Sequence, residues 1–273
     1  MRIIVDSGST KCTWLLTEGG VTEQVRTPGI NAVQHTAEQI RTRLAEVPAR
    51  GPVEEIRFYG AGCGAAFPAA SEKLRRELAA RFSAAKIGIE SDLSGAARAL
   101  FGRGEGIACI LGTGSNSCHC RDGEILDNVP PLGYILGDEG SGAVLGRNLL
   151  NGIFKGRIPL REEFSAAFGL TYEQIIHRVY REPFANRFLA SLAPFIAAHA
   201  ELPEVRTMVL TGFADFAARN LARYPAELPV GFVGGVAAHF ESLLREAMAA
   251  AGRNVAIIAE SPAGGLLKYH YGA

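Results

Sequence analysis

Short apolar runs, separated by turns of small and polar residues, recur along the chain in the same order twice. Arg2 to Asp6 predicts a strand, Ser7-Gly8-Ser9-Thr10-Lys11 a turn, Cys12 to Leu16 a second strand, and Gly19-Gly20 a hairpin into a third, Val21 to Arg26. About 100 residues later the order returns, which predicts two similar halves facing one cleft. Ile107 to Leu111 is a buried strand, Gly112-Thr113-Gly114-Ser115-Asn116 a turn, and Ser117 to Arg121 an alternating strand. Asp122-Gly123 closes a hairpin, and Glu124 to Leu126 begins the returning strand.

Between these runs the periodicity lengthens. Thr27 to Asn31 is a turn and loop before a helix from about Thr36 to Val47. A strand, Glu55 to Tyr59, leads through Gly60-Ala61-Gly62-Cys63-Gly64-Ala65 to a helix, Ala69 to Phe82, and a strand, Lys86 to Ile89. The glycine-rich residues 101–106 predict a crossing between two domains. A helix from Ala143 to Leu150 follows, and from Leu149 the pattern is almost wholly helical: Arg161 to Phe168, Tyr172 to Arg181, Pro183 to Ala200 and Thr207 to Tyr224. The chain then returns to strand at Leu228 to Gly235, helix at Val236 to Ala251, strand at Val255 to Ala259 and a last helix at Leu266 to His270.

Candidate chemistry lies in the turns. Gly112 and Gly114 let main-chain N–H groups approach an anion, and Thr113 and Ser115 add hydroxyl donors, so a phosphate fits there. Gly137-Asp138-Glu139-Gly140-Ser141-Gly142 sets two carboxylates between glycines just before a helix, a place suited to polar ligand groups. Asp92 follows a strand at its carboxyl end, where open α/β sheets present ligands; the alternative is a helix cap made by Ser91 or Asp92. The run from Gly60 to Ala65, with its flanking strands, helix and Glu90, also fits a dinucleotide fingerprint. Three strands and a helix precede it, however, where such a unit opens its domain, and we read a strand-to-loop turn. No G-x-x-x-x-G-K-[ST] occurs, so a P-loop enzyme is not supported.

Composition narrows the classes. A chain of 273 residues with 48% hydrophobic content can build one large or two medium cores. Lys and Arg number 28 and Asp and Glu 28, a balance that argues against a nucleic-acid partner. No leader pattern and no apolar stretch of bilayer-spanning length are present, so no membrane association is expected and the chain is read as cytoplasmic. Five cysteines, at 12, 63, 109, 118 and 120, fit reduced, buried thiols. Cys118-His119-Cys120 lacks the spacing of a zinc site, and strand alternation points His119 away from both thiols.

Asp6-Ser7-Gly8-Ser9-Thr10-Lys11, Gly112-Thr113-Gly114-Ser115-Asn116, Gly137-Asp138-Glu139-Gly140-Ser141-Gly142 and Gly234-Gly235-Val236-Ala237 stand in matching order from Asp6 to about Gly265. They resemble the phosphate-1, phosphate-2, sugar and adenosine motifs of the N-acetylglucosamine kinase family. That family is grouped with the BadF/BadG/BcrA/BcrD-type ATPases inside the actin, sugar-kinase and Hsp70 superfamily. The resemblance implies an α/β fold of two ribonuclease H-like (actin-like ATPase) domains flanking a cleft, the second with extra helices. Their expected bounds are 1–100 plus 262–273, and 101–261.

By the same resemblance the chain is an ATP-dependent, Mg2+-requiring kinase of an N-acetylated amino sugar, acting at the 6-hydroxyl; it also allows a homodimer. Asp92 matches the catalytic base and Asp6 the magnesium ligand. Ser7, Gly8, Ser9, Thr10, Lys11, Gly112, Thr113, Gly114, Ser115, Gly234 and Gly235 match nucleotide-binding positions, and Asn31, Asp92, Thr113, Asp138 and Glu139 match sugar-binding ones. Ser7 and Ser9 stand where a family form has glycines, which keeps hydroxyl donors in the turn. Other readings are a superfamily ATPase that activates a redox enzyme, a non-catalytic sugar sensor and a dinucleotide-binding oxidoreductase.

Overall fold

The computed structural model describes residues 1–48 and 51–272. The expected return of the chain to its first domain, 262–273, thus ends one residue outside the described residues. No helix among them is long and apolar enough to cross a membrane.

The first sheet comprises β1 (Arg2–Ser7), β2 (Lys11–Glu18), β3 (Val21–Pro28), β4 (Glu55–Gly60) and β5 (Lys86–Ser91), in the order β3-β2-β1-β4-β5. β1 to β3 form an antiparallel meander, while β4 and β5 run parallel to β1. The second comprises β6 (Glu105–Leu111), β7 (Ser115–Arg121), β8 (Glu124–Val129), β9 (Val230–Val233) and β10 (Val255–Ala259), in the order β10-β9-β6-β7-β8. β9 runs parallel to β6, and β10 to β9. Strand for strand the two orders coincide, so the pattern repeated in the sequence is a repeated topology. The hairpin turns match as well. Gly19 and Gly20 have φ of 57° and 82°, and Asp122 and Gly123 have 54° and 78°, the paired left-handed conformation of a two-residue turn whose twist suits its strands.

The chain divides into two compact units, residues 1–104 with 120–125 and 261–273, and residues 105–119 with 126–260. In the first, alternation along β1 sends Ile3 and Val5 to one face and Ile4 to the other. Ile3 and Val5 pack with Trp14, Phe58 and the helices Ala37–Ala45 and Pro68–Arg81, through Ile40, Leu44, Leu74 and Leu78. Ile4 packs with Leu15 and Tyr59 beneath the closing helix Ala263–Tyr271, through Ala263 and Leu266. Each fully buried large side chain contributes roughly 1.5–3 kcal/mol. The buried Arg98 is compensated on all sides: it pairs with Glu90 and Glu124 and donates to Tyr59 Oη at 2.9 Å and Gly123 O at 3.1 Å.

In the second unit Ile107, Cys109 and Leu111 of β6 pack with Phe232 of β9, Leu145 and Leu149 of the helix Gly142–Phe154, and Phe213 and Phe216 of the helix Pro203–Phe216. Three expected helices are interrupted. The segment 183–200 forms two, Ala185–Ala190 and Ala193–Ala198: left-handed Phe184 (φ 63°) precedes the first, and Pro194 falls in the first turn of the second, where its missing N–H is harmless. The segment 207–224 starts earlier, at Pro203, and beyond Phe216 continues as a π-helical turn, Ala217–Leu221. The segment 236–251 breaks at Phe240, which turns into the core against Phe213, leaving helices Gly235–His239 and Glu241–Ala250.

Candidate active site

Strand register assembles the first group of residues. Ser7 pairs with Gly60 and Gly60 with Ser91, so the segments leaving β1, β4 and β5 depart at one level. Asp6 therefore stands near Asp92, the first residue of the helix Asp92–Phe101. Of the two capping candidates, Ser91 is the cap: its Oγ accepts from Ser94 N at 3.0 Å. Asp92 Oδ1 accepts from Leu93 N at 2.9 Å, which fixes one carboxylate oxygen and leaves Oδ2.

Burial pushes the Asp6 carboxyl up to about 6; a hydrogen bond from Ser261 lowers it, the charge of Asp92 raises it and that of Lys11 lowers it. Burial also holds Asp92 above the usual carboxylate range, against the hydrogen bond from Leu93 N–H. Burial and the Asp92 charge push the neighbouring Cys63 thiol up to about 12, so it stays protonated.

The turn after β1 is closed by Gly8 N donating to Lys11 O at 3.0 Å; Ser9 is partly exposed, and Thr10 and Lys11 are exposed. Ser7, expected among the nucleotide-binding residues, has its side chain turned into the core. It continues the inward row of Ile3 and Val5, is fully buried, and its hydroxyl donates to Ile30 O at 3.0 Å while accepting from Ile30 N at 2.8 Å. Asn31, next in that loop, accepts on Oδ1 from Val33 N at 3.0 Å and Gln34 N at 3.1 Å, and its Nδ2 is the group left to donate.

The second unit builds its own group around the turn 112–115. Gly112 N donates to Gly114 O at 2.9 Å. The first N–H groups of the helix Gly142–Phe154 donate back to that turn, Gly142 N to Gly112 O at 2.8 Å and Ala143 N to Thr113 O at 3.1 Å. The turn 112–115 and the start of the helix that follows Gly137–Ser141 are thus hydrogen-bonded to each other. Asp138, left-handed at φ 53°, accepts on Oδ1 from Ser115 N at 3.3 Å, and its other oxygen lies against Gly114. Burial pushes its carboxyl up to about 6, with Ser115 N–H lowering it and Glu139 raising it. Ser115 Oγ is buried and has no hydrogen-bond partner among the described residues, an orphan that a ligand oxygen would satisfy.

Glu139 is held by Asn220 Nδ2 at 3.2 Å and Arg219 Nη1 at 3.5 Å. Both donors come from the π-helical turn, and nothing in the sequence pattern marked them. Gly234 (φ 126°) abuts the end of β6 so closely that a Cβ would lie 2.1 Å from Leu111 O, and Gly235 opens the next helix. His119 bonds Glu105 at 2.8 Å, while Cys118 and Cys120 are buried. The helix after the Gly60–Ala65 run begins only at Pro68 and has no side-chain cap, so those glycines do not open a helix as a dinucleotide site requires.

The structure thus brings Asp6, residues 8–11, Asn31 and Asp92 together in one unit, and residues 112–115, Asp138, Glu139, Gly234 and Gly235 in the other. The first group can take a proton and hold a hard cation; the second can cradle phosphate oxygens.

No protein-family model and no curated protein matches the chain. Solved structures do. A provisionally named N-acetylglucosamine kinase from Porphyromonas gingivalis is 44% identical, with a TM-score of 0.94, covering 100% of this chain and 99% of its own. A second protein of the same provisional name, from Chromobacterium violaceum, is 22% identical at a TM-score of 0.73 over 98% of each chain. A ROK family glucokinase from Streptomyces griseus, solved with glucose and AMPPNP, shares the fold at 18% identity and a TM-score of 0.57, over 98% of this chain and 97% of its own. Motif order, duplicated sheet topology and full-length identity to the Porphyromonas protein agree: the chain belongs to the N-acetylglucosamine kinase family, on the two-domain fold of the actin-like sugar kinases.

Proposed function

We propose that the protein is an ATP-dependent kinase that phosphorylates an N-acetylated amino sugar, N-acetylglucosamine or N-acetylmuramic acid, at its 6-hydroxyl. The observation that carries this reading is Asp92: a carboxylate at a strand end, one oxygen fixed by Leu93 N–H, with its pKa raised by burial toward the range of an effective base. Asp92 Oδ2 takes the hydroxyl proton as the sugar oxygen attacks the terminal phosphorus of ATP and the bond from that phosphorus to the bridging oxygen breaks, releasing ADP. Asn31 Nδ2 and the Asp138 and Glu139 carboxylates hold sugar hydroxyls, and Thr113 contributes from the adjoining turn.

The N–H groups and hydroxyls of Ser9, Thr10, Thr113, Gly114 and Ser115 grip the phosphates, Lys11 adds charge, and Gly234-Gly235 admits the adenosine close to the backbone. The orphaned Ser115 hydroxyl supports this cradle. A magnesium ion suits the donors present, because Asp6 offers hard carboxylate oxygen beside a phosphate turn. When bound with the nucleotide, that ion supplies neutralisation of the charge that develops on the transferred group.

The test is coupled ADP release from ATP and Mg2+ against N-acetylglucosamine, N-acetylmuramic acid, glucosamine and glucose, with a blank lacking sugar. A signal dependent on an N-acetylated sugar is expected. Equal hydrolysis without sugar, or a flat panel with nucleotide bound, overturns the kinase reading.

A further inference from the structure

We propose that Ser7, which its motif puts among the nucleotide-binding residues, is instead a positioning residue for the loop that carries Asn31. This rests on the reading of Asn31 as a sugar ligand.

Three observations carry it. First, the Ser7 side chain has no exposed surface and is engaged twice by a single residue, donating to Ile30 O at 3.0 Å and accepting from Ile30 N at 2.8 Å. A hydroxyl used in both directions inside the core is not presented to a phosphate. Second, Ile30 directly precedes Asn31, and the loop is held as tightly beyond it. Asn31 N donates to His35 Nδ1 at 3.1 Å, His35 N donates to Asn31 O at 3.0 Å, and Lys73 Nζ donates to His35 O at 2.6 Å. With Asn31 Oδ1 also committed to Val33 N and Gln34 N, the orientation of the asparagine is determined on both flanks, and its Nδ2 is held where the backbone sets it. Third, the loop is pressed onto the phosphate turn. Gly29 N donates to Thr10 O at 3.0 Å, and a Cβ on Gly29 would lie 2.3 Å from Gly8 O. Ser7 is therefore the joint between the two segments: its backbone leads into the nucleotide turn and its side chain fixes the sugar loop. Such preorganisation strengthens binding by removing the ordering that the ligand would otherwise impose.

The experiment measures dissociation constants by calorimetry for N-acetylglucosamine and, separately, for AMPPNP. It uses the full chain as wild type, Ser7→Ala, Asn31→Ala and the double variant. Ser7→Ala is expected to weaken sugar binding about tenfold and to leave AMPPNP within about twofold, as loss of a buried hydrogen-bonding partner on one side of the site would do. In the Asn31→Ala background the same substitution should change sugar binding by less than about twofold, because its effect passes through Asn31. A loss of AMPPNP affinity equal to or larger than that of sugar overturns the proposal, as does full additivity in the double variant. If Asn31→Ala itself leaves sugar binding unchanged, it is the reading of Asn31 that fails. Ser7→Cys, which keeps the volume and weakens both hydrogen bonds, enters the same cycle should Ser7→Ala not fold, with the same split between ligands expected.

Discussion

Ser261 Oγ donates to Asp6 Oδ2 at 3.2 Å, joining residues 255 positions apart, and itself accepts from Ala263 N at 3.3 Å at the start of the closing helix. Asp6 is thereby oriented by a neutral donor that occupies one oxygen and leaves the other. Ser261→Ala should weaken divalent-cation binding several-fold, read as Mn2+ affinity by electron paramagnetic resonance in the presence of AMPPNP, and Ser261→Thr should restore it. Unchanged Mn2+ affinity in the alanine variant would show that the hydroxyl does not orient Asp6.

Asp92→Asn keeps the shape of the side chain and removes the base. Its kcat should fall by about 10²–10⁴-fold while sugar affinity stays within a few-fold, a split visible in steady-state kinetics combined with calorimetry. Because the folded carboxyl sits above the usual carboxylate range, wild-type kcat should fall on acidification at a higher pH than an exposed aspartate would dictate. An acid limb at the ordinary aspartate value would remove Asp92 from the role.

Asp138 makes the fold pH-dependent in the less familiar direction. Its folded pKa, about 6, exceeds the unfolded value of 3.8, so the folded state binds the proton more tightly. The resulting stabilisation is fully present below the unfolded value and is lost as pH rises through about 6. Asp138→Asn, which can still accept from Ser115 N, should raise Tm at about pH 7.5 and change it little at about pH 4. Differential scanning calorimetry at the two pH values decides the matter; equal effects at both would exclude the linkage.

Gly234 and Gly235 are adjacent and predict opposite outcomes. Alanine at 234 meets both a positive φ and Leu111 O at 2.1 Å, whereas a Cβ at 235 meets nothing nearer than His239 Nδ1 at 4.0 Å. Urea unfolding should show a loss of about 3 kcal/mol for Gly234→Ala and less than about 1 kcal/mol for Gly235→Ala. Similar losses at the two positions would mean that the turn relaxes around the added methyl group.

Much of this architecture was legible in the chain because local signals and tertiary outcome agree. The two strand–turn–strand–hairpin–strand runs, with Gly19-Gly20 and Asp122-Gly123 as hairpin turns, carry the duplicated topology almost unaided. The burial of Ser7 was readable too, since period-two alternation continues Ile3 and Val5 into it. Ser261, Arg219 and Asn220 were not readable. Each meets its carboxylate partner across 80 or more residues, and no local period encodes such a meeting. The helix break at Phe240 escaped for a related reason: Phe240 turns into the core against Phe213, and no glycine or proline marks the stop.

The closing helix sets an order of events for a chain leaving the ribosome. Ile4, Leu15 and Tyr59 emerge early, yet the residues that cover them, Ala263 and Leu266, emerge only after the second unit. The middle of the chain, 105–119 with 126–260, holds all the parts of its own core once residue 260 is out. The half that is synthesised first is therefore completed second: its apolar sheet face stays uncovered until the helix Ala263–Tyr271 has followed the whole of the second unit.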